Sequence, residues 1–260
     1  MGALTPPRAL LLDFGGVVVT TTGKPDWPDR LALEITARLS LVPGNELSAT
    51  RVATDIRNGA EADSRWKDAM SRPAEPRELT HREFWADFVA ADWPASARAW
   101  VTAEATALCR RMGELRQHRE FRPGLVPLLD AAHMHDVPVG VVSNALSGTV
   151  HRDHIDRGGL GDRFAVQVYS DEVGIRKPNP RIIDLAATAL GVPTSTVWYV
   201  GDNYDRDVLC ARRAGAGAAI LIEDKSTFCP PYPPQVAPDA QLPDLTALRH
   251  LLDETRGGRQ

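Results

Sequence analysis

Four short stretches hold the residues whose types and spacing could do chemistry. Asp13 closes the apolar run Ala9-Leu10-Leu11-Leu12, and only Phe14 separates it from Gly15-Gly16. A carboxylate there stands beside backbone that a ligand can approach closely, although alone it also suits a turn or a helix cap. Ser143-Asn144 offers a hydroxyl and an amide, donors for phosphate oxygens or, equally, a cap for the next helix. Lys177 lies in Gly174-Ile175-Arg176-Lys177-Pro178-Asn179-Pro180, just ahead of a proline suited to a first helical turn. Its ammonium is a point charge for phosphate, or else a solvated surface group. Gly201-Asp202-Asn203-Tyr204-Asp205-Arg206-Asp207 sets Asp202 and Asp207 across a turn. Hard oxygen ligands of this kind suit Mg²⁺, which keeps its other positions for water and substrate phosphate. Asp202 capping a helix while Asp207 is solvated is the plainer alternative. All four in one chain, in this order, would rarely arise by chance.

Each stretch follows or closes an element that must position it. Ala9 to Asp13, Val137 to Val142, Thr196 to Val200 and Gly217 to Ile222 are apolar runs of the length of buried parallel strands. Amphipathic stretches from Gly124 to His133, Ser147 to Arg157, Pro180 to Leu190 and Tyr204 to Ala214 separate them. Strands alternating with helices predict an α/β, doubly wound parallel sheet, whose ligands bind beyond the carboxyl ends of the strands. Between about Thr22 and Arg119 helical periodicity takes over, and five of the six tryptophans (Trp27, Trp66, Trp85, Trp93, Trp100) fall there. We expect a core domain of residues 1–22 and 119–260, and an inserted helical domain of residues 23–118 whose tryptophans fill a small core. The proline-rich Cys229 to Pro234 reads as a surface loop before a last strand and a helix from Leu245 to Leu252. His133 and His135 flank a strand start. His151 and His154, at i and i+3, read as a solvated helix face.

The chain has 260 residues, with 30 basic against 34 acidic side chains and a net charge of −4. That balance argues against a nucleic-acid partner held by phosphate neutralisation. At 43% hydrophobic and 25% charged residues, the composition is that of an ordinary soluble protein. No apolar run approaches the ~20 residues of a membrane span. The start, MGALTPPRALLLDF, lacks the small-residue cleavage site of a secretory signal. Cys109, Cys210 and Cys229 form no paired motif, and the first two read as small buried hydrophobes. The expectation is a cytoplasmic protein without a membrane partner.

Leu12-Asp13-Phe14-Gly15-Gly16-Val17, Val142-Ser143-Asn144, Arg176 to Pro180 and Val200-Gly201-Asp202 through Asp207 resemble, in order, the four motifs of the haloacid dehalogenase (HAD) superfamily. The resemblance implies a Rossmann-like core with an all-helical cap inserted after the first motif. It also implies a Mg²⁺-dependent phosphatase of a small phosphorylated metabolite, resembling sugar-phosphate phosphatases. Asp13 would attack phosphorus and form an aspartyl-phosphate. Mg²⁺ would be held by Asp13, the Gly15 carbonyl and Asp202. Asp207, counted with that metal site, would hold a metal-bound water or Lys177. Ser143, Asn144 and Lys177 would bind the phosphoryl oxygens. The chain departs from the pattern at Gly15, where such phosphatases carry an aspartate as general acid, and at Val17, often threonine. The missing acid implies a slow enzyme, an unusual leaving group or a substitute acid, for which a bound water or His81 is a candidate. The alternatives are a phosphate-binding, non-catalytic protein and, less favoured, a dehalogenase. Members of that last kind resemble a pattern with an aromatic residue at the Gly15 position and no acidic metal motif.

Overall fold

The structure, a computed structural model, describes residues 4–41 and 46–257. The opening residues of the stretch read against a secretory signal lie outside it. The chain begins with β1 (Ala9–Leu12) and β2 (Val19–Gly23), then forms α1 (Trp27–Leu39), α2 (Ala49–Ala69), α3 (His81–Glu83), α4 (Ala95–Ala103) and α5 (Ala105–Arg116). It continues through β3 (Gln117–Phe121), which pairs with β2 in a two-stranded ribbon. Next come α6 (Leu125–Met134), β4 (Val139–Ser143), α7 (Gly148–Arg157), β5 (Val166–Tyr169), α8 (Ser170–Val173) and α9 (Arg181–Ala189). The chain ends with β6 (Val197–Gly201), α10 (Leu209–Ala214), β7 (Ala218–Ile222), β8 (Ala240–Leu242) and α11 (Leu245–Gly257).

Two compact units result. One holds Met1–Thr21, Ser71–Arg77 and Arg119–Gln260; the other holds Thr22–Met70 and Glu78–His118. In the first, a parallel sheet runs in the order β5-β4-β1-β6-β7-β8. Apolar runs without alternation must be covered on both faces, and they are. Leu10 and Leu12 of β1, Trp198 and Val200 of β6, and Ile220 of β7 face Leu125, Leu128 and Leu129 of α6 and Leu245, Leu248 and Leu252 of α11. The intervening Ala9, Leu11, Tyr199 and Leu221 face Ile182, Ile183 and Ala186 of α9 and Cys210 and Ala211 of α10. Strand order reverses about β1, so a ligand crevice belongs at the carboxyl ends of β1, β4 and β6.

In the helical unit, Leu31, Ile35 and Leu39 of α1 are buried, as are Val52 and Ile56 of α2. Ser48 caps α2 by accepting the Arg51 N–H, and Thr80 with Glu83 forms a capping box ahead of a π-helical turn at Phe84–Val89. Of the five tryptophans expected in the core, Trp85 and Trp93 are buried, while Trp27, Trp66 and Trp100 are half-buried. Trp93 Nε1 donates to Asp55 Oδ2 at 2.8 Å.

Three features differ from the expectations. β5 is only four residues long, with its first two half-buried, so it lacks the apolar signature of its neighbours. The ribbon strands β2 and β3 are polar and partly exposed, and are not among the expected strands. Ser71–Arg77 packs with the sheet unit, because its backbone is held there. Arg213 donates to the carbonyls of Arg72 and Pro73, and Asn179 Nδ2 donates to that of Pro76. A polar, proline-spaced stretch held through main-chain carbonyls leaves no side-chain pattern to read.

Candidate active site

Asp13 sits one residue beyond β1, and its N–H still donates to Val200 O at 2.8 Å, so the sheet ladder fixes its backbone. Its Oδ1 accepts the Phe14 N–H at 2.8 Å and pairs with Lys177 Nζ at 2.8 Å. Lys177 also donates to Asp207 Oδ1 at 2.5 Å and to the Tyr199 hydroxyl at 2.9 Å, so its three protons are committed inside the protein. Asn144, directly after β4, clamps the backbone of that lysine: its Oδ1 accepts the Lys177 N–H at 2.8 Å and its Nδ2 donates to Lys177 O at 3.1 Å. Ser143, the last residue of β4, reaches among the described residues only its neighbour's carbonyl, at 3.5 Å.

Asp207 Oδ2 accepts the N–H groups of Asp202 and Asn203 at 3.1 and 3.0 Å, and its Oδ1 lies 3.1 Å from the Tyr199 hydroxyl. Four donors thus engage Asp207, which closes the turn after β6 and anchors Lys177. A Cβ at Gly201 would overlap the Asp207 side chain, so the turn needs glycine. Gly16 has φ +75°, and a Cβ on it would overlap the Asp202 carboxylate. At Gly15 a Cβ would meet no atom within 4 Å.

Asp13, Asp202 and Asp207 offer carboxylate oxygens that all lie within 4.8 Å of one another, against one ammonium. Burial raises the Asp13 pKa despite the nearby Lys177 charge. Burial, joined by the charges of Asp207 and Asp13, raises that of Asp202 well above the carboxylate range. Burial opposes the Lys177 ammonium, but Asp13 and Asp207 outweigh it and hold its pKa above the ordinary lysine range. A buried excess of negative charge on hard oxygens fits a divalent cation.

Sequence reasoning missed Ser226 and Tyr199. The Ser226 hydroxyl donates to Asp202 Oδ2 and lies 3.1 Å from Asp202 O, and Thr227 Oγ1 donates to the same carbonyl at 2.6 Å. The available signal was two hydroxyls just beyond the carboxyl end of β7, at the rim where the other polar residues gather. Tyr199 gave none, since a tyrosine inside a buried strand reads as apolar filling. His151 and His154 are not a solvated face. His151 stacks on Phe14 with ring centroids 4.0 Å apart, and His154 meets the same ring edge-on at 6.3 Å. His135 pairs with Asp253 at 2.8 Å. His81 lies in the helical unit, its Nδ1 3.1 Å from Thr106 Oγ1. Cys109 and Cys210 are buried as expected, and no helix among the described residues is long and apolar enough to cross a membrane.

The sheet order, the rim of carboxylates and the lysine between them define a class of hydrolase, and comparison with known proteins gives the same class. The family model described as haloacid dehalogenase-like hydrolase matches residues 7–215, and the chain belongs to that family. It is 29% identical over 190 residues to the pyrimidine 5'-nucleotidase YjjG of Escherichia coli, covering 72% of this chain and 77% of that protein. It is 31% identical over 130 residues to a phosphoserine phosphatase of Thermus thermophilus, where the match spans half of each chain. A crystal structure of a 2-haloacid dehalogenase from Pseudomonas syringae superposes with a TM-score of 0.61 at 19% identity, over 95% of this chain and 99% of that one. That likeness is one of fold.

Proposed function

We propose that the protein is a divalent-cation-dependent phosphatase of small phosphorylated metabolites that works through an aspartyl-phosphate on Asp13. The observation that carries this reading is the buried cluster of Asp13, Asp202 and Asp207 around Lys177 at the carboxyl ends of the strands. Asp13 Oδ2, which no donor among the described residues engages, attacks phosphorus in line. Lys177 neutralises the negative charge that otherwise repels the phosphoryl group, while Asn144 and Asp207 hold it in place. The Ser143 hydroxyl and the second amide proton of Asn144 bind phosphoryl oxygens. Asp13, the Gly15 carbonyl and Asp202 hold Mg²⁺, which when bound screens carboxylate from phosphate and stabilises charge in the transition state. Asp207, with both oxygens engaged, serves Lys177 in this scheme.

The phosphatases among the relatives agree with this reading at low identity. Dehalogenases also occur among the relatives and structural neighbours, but an acidic cluster beside the nucleophile favours phosphate over halide chemistry. We take the helical unit as the family's cap and the source of specificity, and the compartment as cytoplasmic. The test is phosphate release from sugar, nucleotide and organic-acid phosphates, with Mg²⁺ or with chelator, in wild type and Asp13→Asn. We expect Mg²⁺-dependent release that the variant loses by at least about 10³-fold, the scale of losing a covalent nucleophile. Undiminished release by Asp13→Asn would overturn the proposal. Binding of phosphate without turnover of any compound would leave a phosphate-binding role in its place.

A further inference from the structure

Among the described residues of the sheet unit, the ionisable side chains seen beside Asp13 are already engaged in hydrogen bonds, and this bears on which phosphates the site can cleave. Lys177, Tyr199, Asp202 and Asp207 are four such side chains. Lys177 is 2% exposed, and its three protons go to Asp13, Asp207 and Tyr199. The single Tyr199 proton serves Val142 O or Asp207 Oδ1, at 3.2 and 3.1 Å, deep in the same network. Asp207 accepts four donors, and Asp202 accepts the Ser226 hydroxyl. His151 stacks on Phe14 at 4.0 Å, so Phe14 rather than a substrate occupies the face of its ring. The position that could carry an acid is Gly15, where the direction of a side chain opens on empty space.

Resting on the phosphatase reading above, we propose that this enzyme acts on phosphates whose leaving group departs as a stable anion: acyl phosphates, phosphoanhydrides and phosphates of acidic hydroxyls. An Asp13 oxygen forms a bond to phosphorus while the bond from phosphorus to the leaving oxygen breaks. The electron pair stays on that oxygen, giving a carboxylate, a phosphate or a phenolate, and no proton is needed. Water then bonds to phosphorus, the bond to Asp13 breaks and its pair returns to the carboxylate. Both protons of the water remain on the released dihydrogen phosphate or pass to solvent. An alkyl phosphate differs only at the first step, where an alkoxide must be expelled. That step is the one a general acid accelerates by about 10²–10⁴-fold.

The test compares kcat/KM for acetyl phosphate, pyrophosphate, 4-nitrophenyl phosphate, phenyl phosphate and glycerol phosphate, using the full chain with Mg²⁺. Phosphoryl transfer to Asp13 from acetyl phosphate is followed in parallel by mass spectrometry, with Asp13→Asn as the blank. The expected result is a fall of at least 10²-fold from the acyl and nitrophenyl compounds to the alkyl ester. Gly15→Asp should recover about 10²-fold on the alkyl ester alone, and Gly15→Asn, similar in shape but without an acid proton, should not. If Asp13 is labelled but the alkyl ester is cleaved as fast as the acyl phosphate, this inference fails and the phosphatase reading stands. If Asp13 takes no label and no compound is turned over, both fail.

Discussion

In the proposed cation site Ser226 acts at one remove. Its hydroxyl donates to Asp202 Oδ2, and Thr227 fixes the Asp202 carbonyl, so the carboxylate is held by the turn after β7 as well as by its own strand. Hydrogen-bond partners of metal ligands orient them, and losing one typically costs about 10–100-fold in metal affinity. Ser226→Ala should therefore weaken Mg²⁺ about tenfold, read by calorimetric titration, and Ser226→Thr should recover most of that loss. An unchanged dissociation constant in the alanine variant would remove Ser226 from the site. The same logic explains why single residues here were unevenly legible. Asp13, Asp202 and Asp207 carry charge just after apolar strands, and Lys177 carries it ahead of a proline-started helix, so all four stand out in the sequence. Ser226 and Tyr199 act through neutral hydroxyls, and a hydroxyl has no meaning until its partner is known.

At the scale of elements, α7 and the segment after β1 are joined by an aromatic stack. His151 lies flat on Phe14, with the Tyr169 ring edge-on at 5.5 Å, and Phe14 directly follows Asp13. Burial, with smaller contributions from the charges of Arg119 and His154, lowers the His151 pKa from 6.5 to about 3. A group depressed in the folded state contributes stability above its unfolded pKa and loses it as pH falls through the window between 6.5 and 3. Between pH 7 and pH 5 that loss is about 2 kcal/mol. His151→Phe, which keeps a flat ring against Phe14, should flatten this limb of the stability curve by that amount in urea titrations at the two pH values. Equal acid sensitivity in both proteins would show that His151 does not set it. The helix itself was legible from periodicity, but its histidine face was not. Two imidazoles at i and i+3 look the same in sequence whether they meet water or a phenyl ring. The buried strands β1, β4, β6 and β7 were readable because two covered faces demand unbroken apolar runs. The short β5 is specified by its pairing with β4 at the sheet edge, and the polar ribbon of β2 and β3 by partners far apart in the chain.

For the molecule as a whole, the sheet unit concentrates negative charge where its three central strands end. Three carboxylates lie within 4.8 Å of one another around a single ammonium, with Asp13 and Asp202 raised mainly by burial. Folding without a cation leaves those carboxylates crowded or obliges them to take up protons, so a cation that binds only the folded state should stabilise it by mass action. At a Mg²⁺ concentration about a hundred times its dissociation constant, the gain is about 2.7 kcal/mol, lost again when chelator is added. Asp202→Asn separates the two contributions. It removes one of the crowded charges and one oxygen ligand together, so the variant should lose the Mg²⁺-dependent gain while being at least as stable as wild type in chelator. Thermal melting of both proteins under both conditions reads this directly. A wild type whose melting temperature ignores Mg²⁺, or an Asp202→Asn protein less stable than wild type in chelator, would mean that the charge is balanced within the chain itself. The carboxylates would then serve to hold Lys177 rather than to wait for a metal.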